Sequence, residues 1–479
     1  MNIITKGKIK IQEMFIRFKE MDLCEKTNAL SFVCVCFFLL DCTISGGGRY
    51  LEFYGISIRI LVGVLSVLFA IPTLIKNWKV HIREPINLLF VPFVIWFLIC
   101  TIRGVLKGNN QIVLMSDVKG FMYLFLIPIA VNCVIGKKRI CTILNVVLIG
   151  ALIQALLVFG INVFCTLETG NMMKLYFPVN DIQLGTVSDI SDSIYRIFMR
   201  SGPYLIVACV VSAYRQLQNQ RYKVIYSFLT AIYLNALLFS YTRSLYGSFG
   251  ITALVTVIIT AIVYPKLVRI VIKHLLVSVL VALLIITAEE VVFEANYLNF
   301  AIARTFGTEV RVSQASKLRS KVRGFWVKMQ QHDSYGSDDS DNSINSEDVE
   351  IANQEGYLQI TIQSDALRRI TQNELIELIE GEPIIGNGLG AFAPSRNGPD
   401  EFFYLDVMAR MGIIGLLLYV LPYLYIFVVA VKKRKVVLNA CICLPFWIAT
   451  AFNPWMNAAI GISCYSITMA MTKEKRDSR

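Results

Sequence analysis

Lys137-Lys138-Arg139 followed by ICTILNVVLIGALIQALLVFGINVF over 140–164 decides the fold: three cations, then 25 residues without a charge. About 20 consecutive apolar residues are needed to cross hydrocarbon as a helix, so this stretch predicts a membrane span with its start marked by a basic cluster. Comparable runs recur near 27–45, 55–75, 86–103, 119–135, 198–214, 222–240, 245–264, 269–288, 404–431, 437–452 and 455–472. With 140–164 they make about twelve spans. Composition agrees. The 479 residues are 56% hydrophobic and 17% charged, against about a quarter charged in soluble proteins. The expected fold is an all-α polytopic membrane protein of about twelve transmembrane helices.

Charge sets the orientation. Lys6, Lys8, Lys10, Arg17, Lys19 and Lys26 precede the first span. Lys76, Lys79 and Arg83 follow the second, and Lys137 to Arg139 the fourth. Arg215, Arg221 and Lys223 follow the sixth, Lys266, Arg269 and Lys273 the eighth, and Lys432 to Lys435 the tenth. Lys473, Lys475 and Arg476 close the chain. Every cluster falls at an even-numbered gap or a terminus, so both termini are expected in the cytoplasm. The net charge of +12 is therefore an orientation signal, and no nucleic-acid partner is expected.

The chain divides into a cytoplasmic segment (1–26), nine spans (27–288), an extracytoplasmic loop (289–403), three spans (404–472) and a cytoplasmic tail (473–479). Residues 101–119 and 165–197 are expected as further long outer segments. In the large loop, 304–329 is basic and helical in period, 334–350 is a polar Ser/Asp/Asn linker, and 364–380 reads as an amphipathic helix. Ser364 is its expected N-cap, and the turn Gly386-Asn387-Gly388-Leu389-Gly390 follows. Most of the twelve cysteines lie in apolar runs and the large loop has none, so neither a disulfide framework nor a metal-ligand spacing is present. No metal and no cofactor are expected.

One charge breaks the pattern. Arg243, in Tyr241-Thr242-Arg243-Ser244, lies in a short turn that the alternation assigns to the outer face, where Arg and Lys are normally scarce. An anionic ligand at the outer surface accounts for it; an anchor to lipid phosphate is the alternative.

The order of several pieces resembles the O-antigen polymerase and O-antigen ligase superfamily of bacterial envelope glycosyltransferases. These are Tyr-Thr-Arg-Ser at 241–244, a long outer loop, Ser364-Asp365-Ala366-Leu367-Arg368-Arg369, and Pro383-Ile384-Ile385-Gly386-Asn387-Gly388-Leu389-Gly390. Tyr404-Leu405, Gly412-Ile413-Ile414-Gly415 and Asn453-Pro454 complete the series. The local similarity covers roughly a third of the chain, on degenerate motifs whose order is the specific part. Ligases of this superfamily carry a His-Asn pair where this chain has Glu401-Phe402, which favours a repeat-unit polymerase over a ligase. The resemblance implies a polyprenyl-pyrophosphate-linked oligosaccharide as substrate, in the bacterial cytoplasmic (inner) membrane. It also makes a chain-length regulator and a flippase candidate partners.

That chemistry loads negative charge onto a leaving pyrophosphate, which fixed arginines stabilise. Arg243, Arg368 and Arg369 are the expected phosphate-binding residues, followed by Arg196 and Arg200. Glu401 occupies the slot of the general base, with Asp400, Asp192 and Asp365 as alternatives. A ligase, or a transporter of lipid-linked oligosaccharide, remains open. A transporter calls for ionisable residues deep in the spans, whereas Asp41, Arg59, Arg103 and Asp117 read as span ends.

Overall fold

A computed structural model describes residues 19–46, 52–53, 56–167, 175, 178–179, 182, 184–191, 194–293, 295–306, 366–395, 402–432 and 441–472. The chain forms a bundle of α-helices: α1 (Leu23–Ile44), α2 (Ile58–Lys76), the short α3 (Trp78–Ile82), α4 (Pro85–Leu106), α5 (Gln111–Met122), α6 (Leu126–Cys133) and α7 (Gly136–Leu167). Then come α8 (Pro203–Gln218), α9 (Lys223–Leu238), α10 (Arg243–Val263), α11 (Pro265–Phe293), α12 (Tyr297–Phe306) and α13 (366–381). The last are α14 (Phe403–Lys432), α15 (Leu444–Ala449) and α16 (Ala459–Thr472).

Among the described residues, eight helical stretches are long and apolar enough to cross a membrane, α5 and α6 counting as one. α9 and α16 are shorter apolar helices. Large side chains such as Leu61, Val64, Leu68 and Ile75 on α2, or Leu276, Leu280 and Leu284 on α11, point outward and are exposed. Such apolar faces suit a hydrocarbon surround. This is a multi-pass membrane protein. Its centre is aromatic: the buried ring of Tyr419 lies 5.3 Å from Phe93, 5.4 Å from Phe403, 5.7 Å from Trp447 and 5.9 Å from Tyr465. The Tyr419 hydroxyl donates to the Met456 carbonyl at 2.5 Å, so the polar tip of an apolar body is satisfied.

The fold departs from the sequence expectation in three places. Residues 101–119 are almost entirely helix, with only 107–110 between α4 and α5. The charges that mark a membrane boundary there are neutralised by distant segments. Arg103 pairs with Glu382 at 2.8 Å and Asp117 with Arg410 at 2.5 Å. Second, two β-hairpins accompany the helices: β1 (Glu52–Phe53) with β2 (Ile56–Ser57), and β3 (Gly185–Ser191) with β4 (Ile194–Met199). The larger one occupies part of the expected loop 165–197. Third, the described part of the run 437–452 holds the six-residue helix α15, and 450–458 follows as turns. Thr450 and Met456 in these turns are fully buried. Irregular backbone of this kind is tolerated in a membrane protein where other protein segments cover it.

The glycine-rich turn 386–390 is a packed joint. Asn109 Nδ2 donates to the carbonyls of Asn387, Gly388 and Leu389 at 3.1, 3.3 and 2.9 Å. Arg103 Nε donates to the Gly386 carbonyl at 2.9 Å. A Cβ at Gly104 would overlap the Leu389 carbonyl oxygen, and one at Gly412 the Ile384 carbonyl. Gly412 has φ +66° and kinks α14, a backbone setting that glycine adopts without steric penalty.

Candidate functional site: an arginine-bearing turn and its surroundings

α9 ends at Leu238, and the Ser240 and Tyr241 amides donate back to Leu237 and Leu238, both at 3.1 Å. Tyr241 then takes φ +43°, the one positive φ outside glycine among the described residues. Such a conformation costs about 1–3 kcal/mol and persists where the surroundings over-determine it. Here the ring is buried and meets Phe300 of α12 edge-on at 5.0 Å. Burial pushes the Tyr241 phenol well above its ordinary pKa, so it is a neutral group. Thr242 is extended, and its carbonyl accepts the Leu245 and Tyr246 amides at 3.0 and 3.2 Å. Arg243 is thus the first residue of α10, and it is exposed. A cation at a helix N-terminus opposes the helix dipole, but guanidinium and dipole together favour an anion.

Arg196 reaches the same turn through β4, and Arg200 follows the end of that strand. The Ile197 amide donates to the Phe239 carbonyl at 2.9 Å, and Arg196 Nε donates to Ser240 O at 3.3 Å. The Arg196 guanidinium lies over the Phe198 ring, 5.5 Å from its centroid. Arg200 is exposed, and its carbonyl accepts from Trp455 Nε1 at 3.0 Å. Asn453 Nδ2 donates to Ser244 Oγ at 3.2 Å, which brings the Asn453-Pro454 segment against the first turn of α10.

Arg368 and Arg369 are carried separately, on α13. Arg368 is half-buried and Arg369 exposed. Leu375 is buried against Ala393 and Ala409, which docks the helix on the start of α14, and Glu374 accepts the Ser395 amide at 2.9 Å. Leu367 and Ile370, apolar residues of the same helix, are 38% and 50% exposed. Glu401, Asp400, Asp192, Asp365 and Ser364 lie outside the described residues, as do the linker 334–350 and nearly all of 304–329.

Four acidic residues are buried among the described residues: Asp41, Asp117, Glu289 and Asp406. Asp41 accepts from Arg59 Nε at 2.5 Å. Asp117 and Asp406 share Arg410, at 2.5 and 2.7 Å. Glu289, near the end of α11, accepts instead from the neutral Asn235 Nδ2 at 2.9 Å. Its neighbour Glu290 accepts the Leu298 amide of α12 at 2.7 Å. Both glutamates act electrostatically on Tyr241. Neither stood out in the sequence; the signal was a Glu-Glu pair closing the apolar run 269–288. Arg410 was also missed, being one cation inside the run 404–431.

No family model and no curated protein sequence matches the chain. Among the described residues, no group of three His, Cys, Asp or Glu side chains could hold a metal ion.

Proposed function

We propose that the protein is a repeat-unit polymerase, joining polyprenyl-pyrophosphate-linked oligosaccharides at the outer face of the bacterial cytoplasmic membrane. Arg243, Arg196 and Arg200 hold the pyrophosphate, and Arg368 and Arg369, carried separately on α13, are assigned to the same ligand. The observation that carries the reading is the contact of Arg196 with Ser240, in the turn that presents Arg243. Asn453 and Trp455, beside the Asn-Pro pair of the resemblance, close the same place. In this reading the chain crosses the membrane twelve times with both termini inside. α8, α9, α16 and the broken 441–458 segment supply the four crossings beyond the eight long apolar stretches.

The reaction follows from the charges. The donor's anomeric carbon loses its bond to the pyrophosphate oxygen, and the electron pair leaves with the phosphate. Arginine forks and the α10 N-terminus stabilise that charge as it grows. The acceptor is a sugar hydroxyl on a second lipid-linked unit, and its proton must pass to a base. Three of the four buried acids favour an enzyme over a transporter. Asp41 with Arg59, and Asp117 and Asp406 with Arg410, are closed pairs inside the bundle, where a conduction path calls for groups free to exchange partners.

The test is Arg243→Ala in the native host, read by glycan gel. Loss of long-chain glycan with normal protein levels is expected. Polymer of wild-type length removes the role given to Arg243. If deletion of the gene leaves free polymer that is not transferred to its final acceptor, the protein is a ligase. Lipid-linked units trapped on the cytoplasmic leaflet identify a transporter.

A further inference from the structure

Glu289 differs from every other buried acid in the described structure. Asp41, Asp117 and Asp406 each meet an arginine. Glu289 is 7% exposed, and among the described residues it has a neutral amide and no cation. A carboxylate buried without a cation is expensive, and in a membrane protein such a group marks function by default.

Its position is specific. Asn235, which donates to it, is one turn before the end of α9. The next turn of chain contains Leu238, whose carbonyl accepts from both the Tyr241 amide and the Tyr246 hydroxyl. Tyr241 is an electrostatic neighbour of Glu289, and among the described residues its buried hydroxyl has no hydrogen-bond partner. Glu289 and Asn235 therefore sit at the end of α9, beside the stretch 238–243 that presents Arg243. α12 packs on that stretch. Phe300 packs on Tyr241, Tyr297 lies 5.1 Å from Phe239, and Glu290 holds the start of that helix.

We propose that Glu289 is the catalytic base of the glycosyl transfer, taking the proton of the acceptor hydroxyl, with Asn235 fixing its carboxylate. This rests on the polymerase reading above. The acceptor oxygen forms its bond to the donor's anomeric carbon as the bond to pyrophosphate breaks. The leaving oxygen keeps the electron pair, and the acceptor proton moves to Glu289 and from there to water.

The experiment uses the purified full-length protein in proteoliposomes. They are loaded with lipid-linked oligosaccharide extracted from host cells that lack it. Wild-type protein that joins no units refutes the polymerase reading itself, independently of Glu289. With wild-type active, Glu289→Gln is expected to lower kcat about 100-fold or more, the range of general-base catalysis. Its KM, its thermal unfolding and its binding of undecaprenyl diphosphate should hold. Azide separates a base from a structural residue, because it attacks the anomeric carbon without a proton to lose. The variant should form glycosyl azide at the wild-type rate. Polymerisation by Glu289→Gln within threefold of wild type overturns the assignment, and so does a folded variant equally slow with azide and with sugar. Should Glu289→Gln not fold, Glu289→Asp carries the same comparison. Its carboxylate is drawn back by one methylene, so the sugar rate falls and the azide rate is kept.

Discussion

Replacing Arg410 by Met should loosen the return of the outer loop to the bundle. Arg410 is 1% exposed and binds three groups: Asp117 at 2.5 Å, Asp406 at 2.7 Å and the Ala391 carbonyl at 2.8 Å. Asp117 reaches on to the Gly390 amide at 2.9 Å. One cation thus ties α5, α14 and the end of the glycine turn. Methionine fills much of the volume but leaves two buried carboxylates facing each other. Removing one partner of a buried pair costs about 3–5 kcal/mol, most of it from the orphaned charge. At 1.4 kcal/mol per tenfold, the docked turn loses at least about 100-fold in population against its open form. Hydrogen exchange on the purified protein reads this directly. Protection of the Gly388, Leu389 and Gly390 amides, which bond to Arg410, Cys100 and Asp117, should fall by about that factor. Amides in the middle of α7 should keep theirs. Adding Asp117→Asn to Arg410→Met removes one orphaned charge and should restore part of the protection. Unchanged protection in Arg410→Met would show that backbone packing alone docks the turn, and the latch would be refuted.

Other outcomes follow from the same geometry. Gly104→Ala drives a methyl group into the Leu389 carbonyl and should displace the turn as Arg410→Met does, whereas Gly108→Ala meets open space and should cost only about 1 kcal/mol of backbone strain; thermal unfolding in detergent compares the two. Tyr241→Phe removes a hydroxyl without a partner among the described residues and should leave the melting temperature within a few degrees, because deleting an unsatisfied polar atom costs little. Tyr241→Ala empties the site against Phe300 and should cost about 3–5 kcal/mol, as for other large buried rings. Arg59→Met should destabilise by about 3–5 kcal/mol, since it strands Asp41 in the bundle and frees the Gly46 carbonyl that Arg59 also binds at 2.8 Å; denaturation in detergent checks it.

What the chain discloses before folding depends on how far away the deciding partner is. Runs such as 140–164 carry their own answer, because an apolar run of that length has to leave water whatever surrounds it. The Arg243 turn was legible for the same reason: a cation between two apolar runs is a local anomaly. Span ends failed where the partner was remote. Asp117 reads as a boundary until Arg410, 293 residues away, takes its charge. The β3–β4 hairpin was hidden because its alternation is short, yet it is the element that brings Arg196 to Ser240. Tyr241 gave no sign at all, since nothing in Ser240-Tyr241-Thr242 calls for a positive φ.

The four buried acids show why a site in a membrane protein is harder to read than its topology. In the sequence, Asp41, Asp117, Glu289 and Asp406 look alike: acids at or near the edge of apolar runs, Glu289 with Glu290 beside it. Folding sorts them by what arrives opposite. Three receive a guanidinium and become joints of the bundle; among the described residues Glu289 receives an amide and no cation, at the end of the helix pair that leads to Arg243. An acid already paired with arginine is a poor proton acceptor, because protonation would forfeit the pair. Burial separates the cations likewise: Arg59 and Arg410 are buried in such pairs, whereas Arg243 and Arg200 are exposed. In the proposed reaction, which expels a pyrophosphate and abstracts a proton, exposed cations and an acid that no described arginine meets would act together, and the neighbourhood of residues 235–246 carries both.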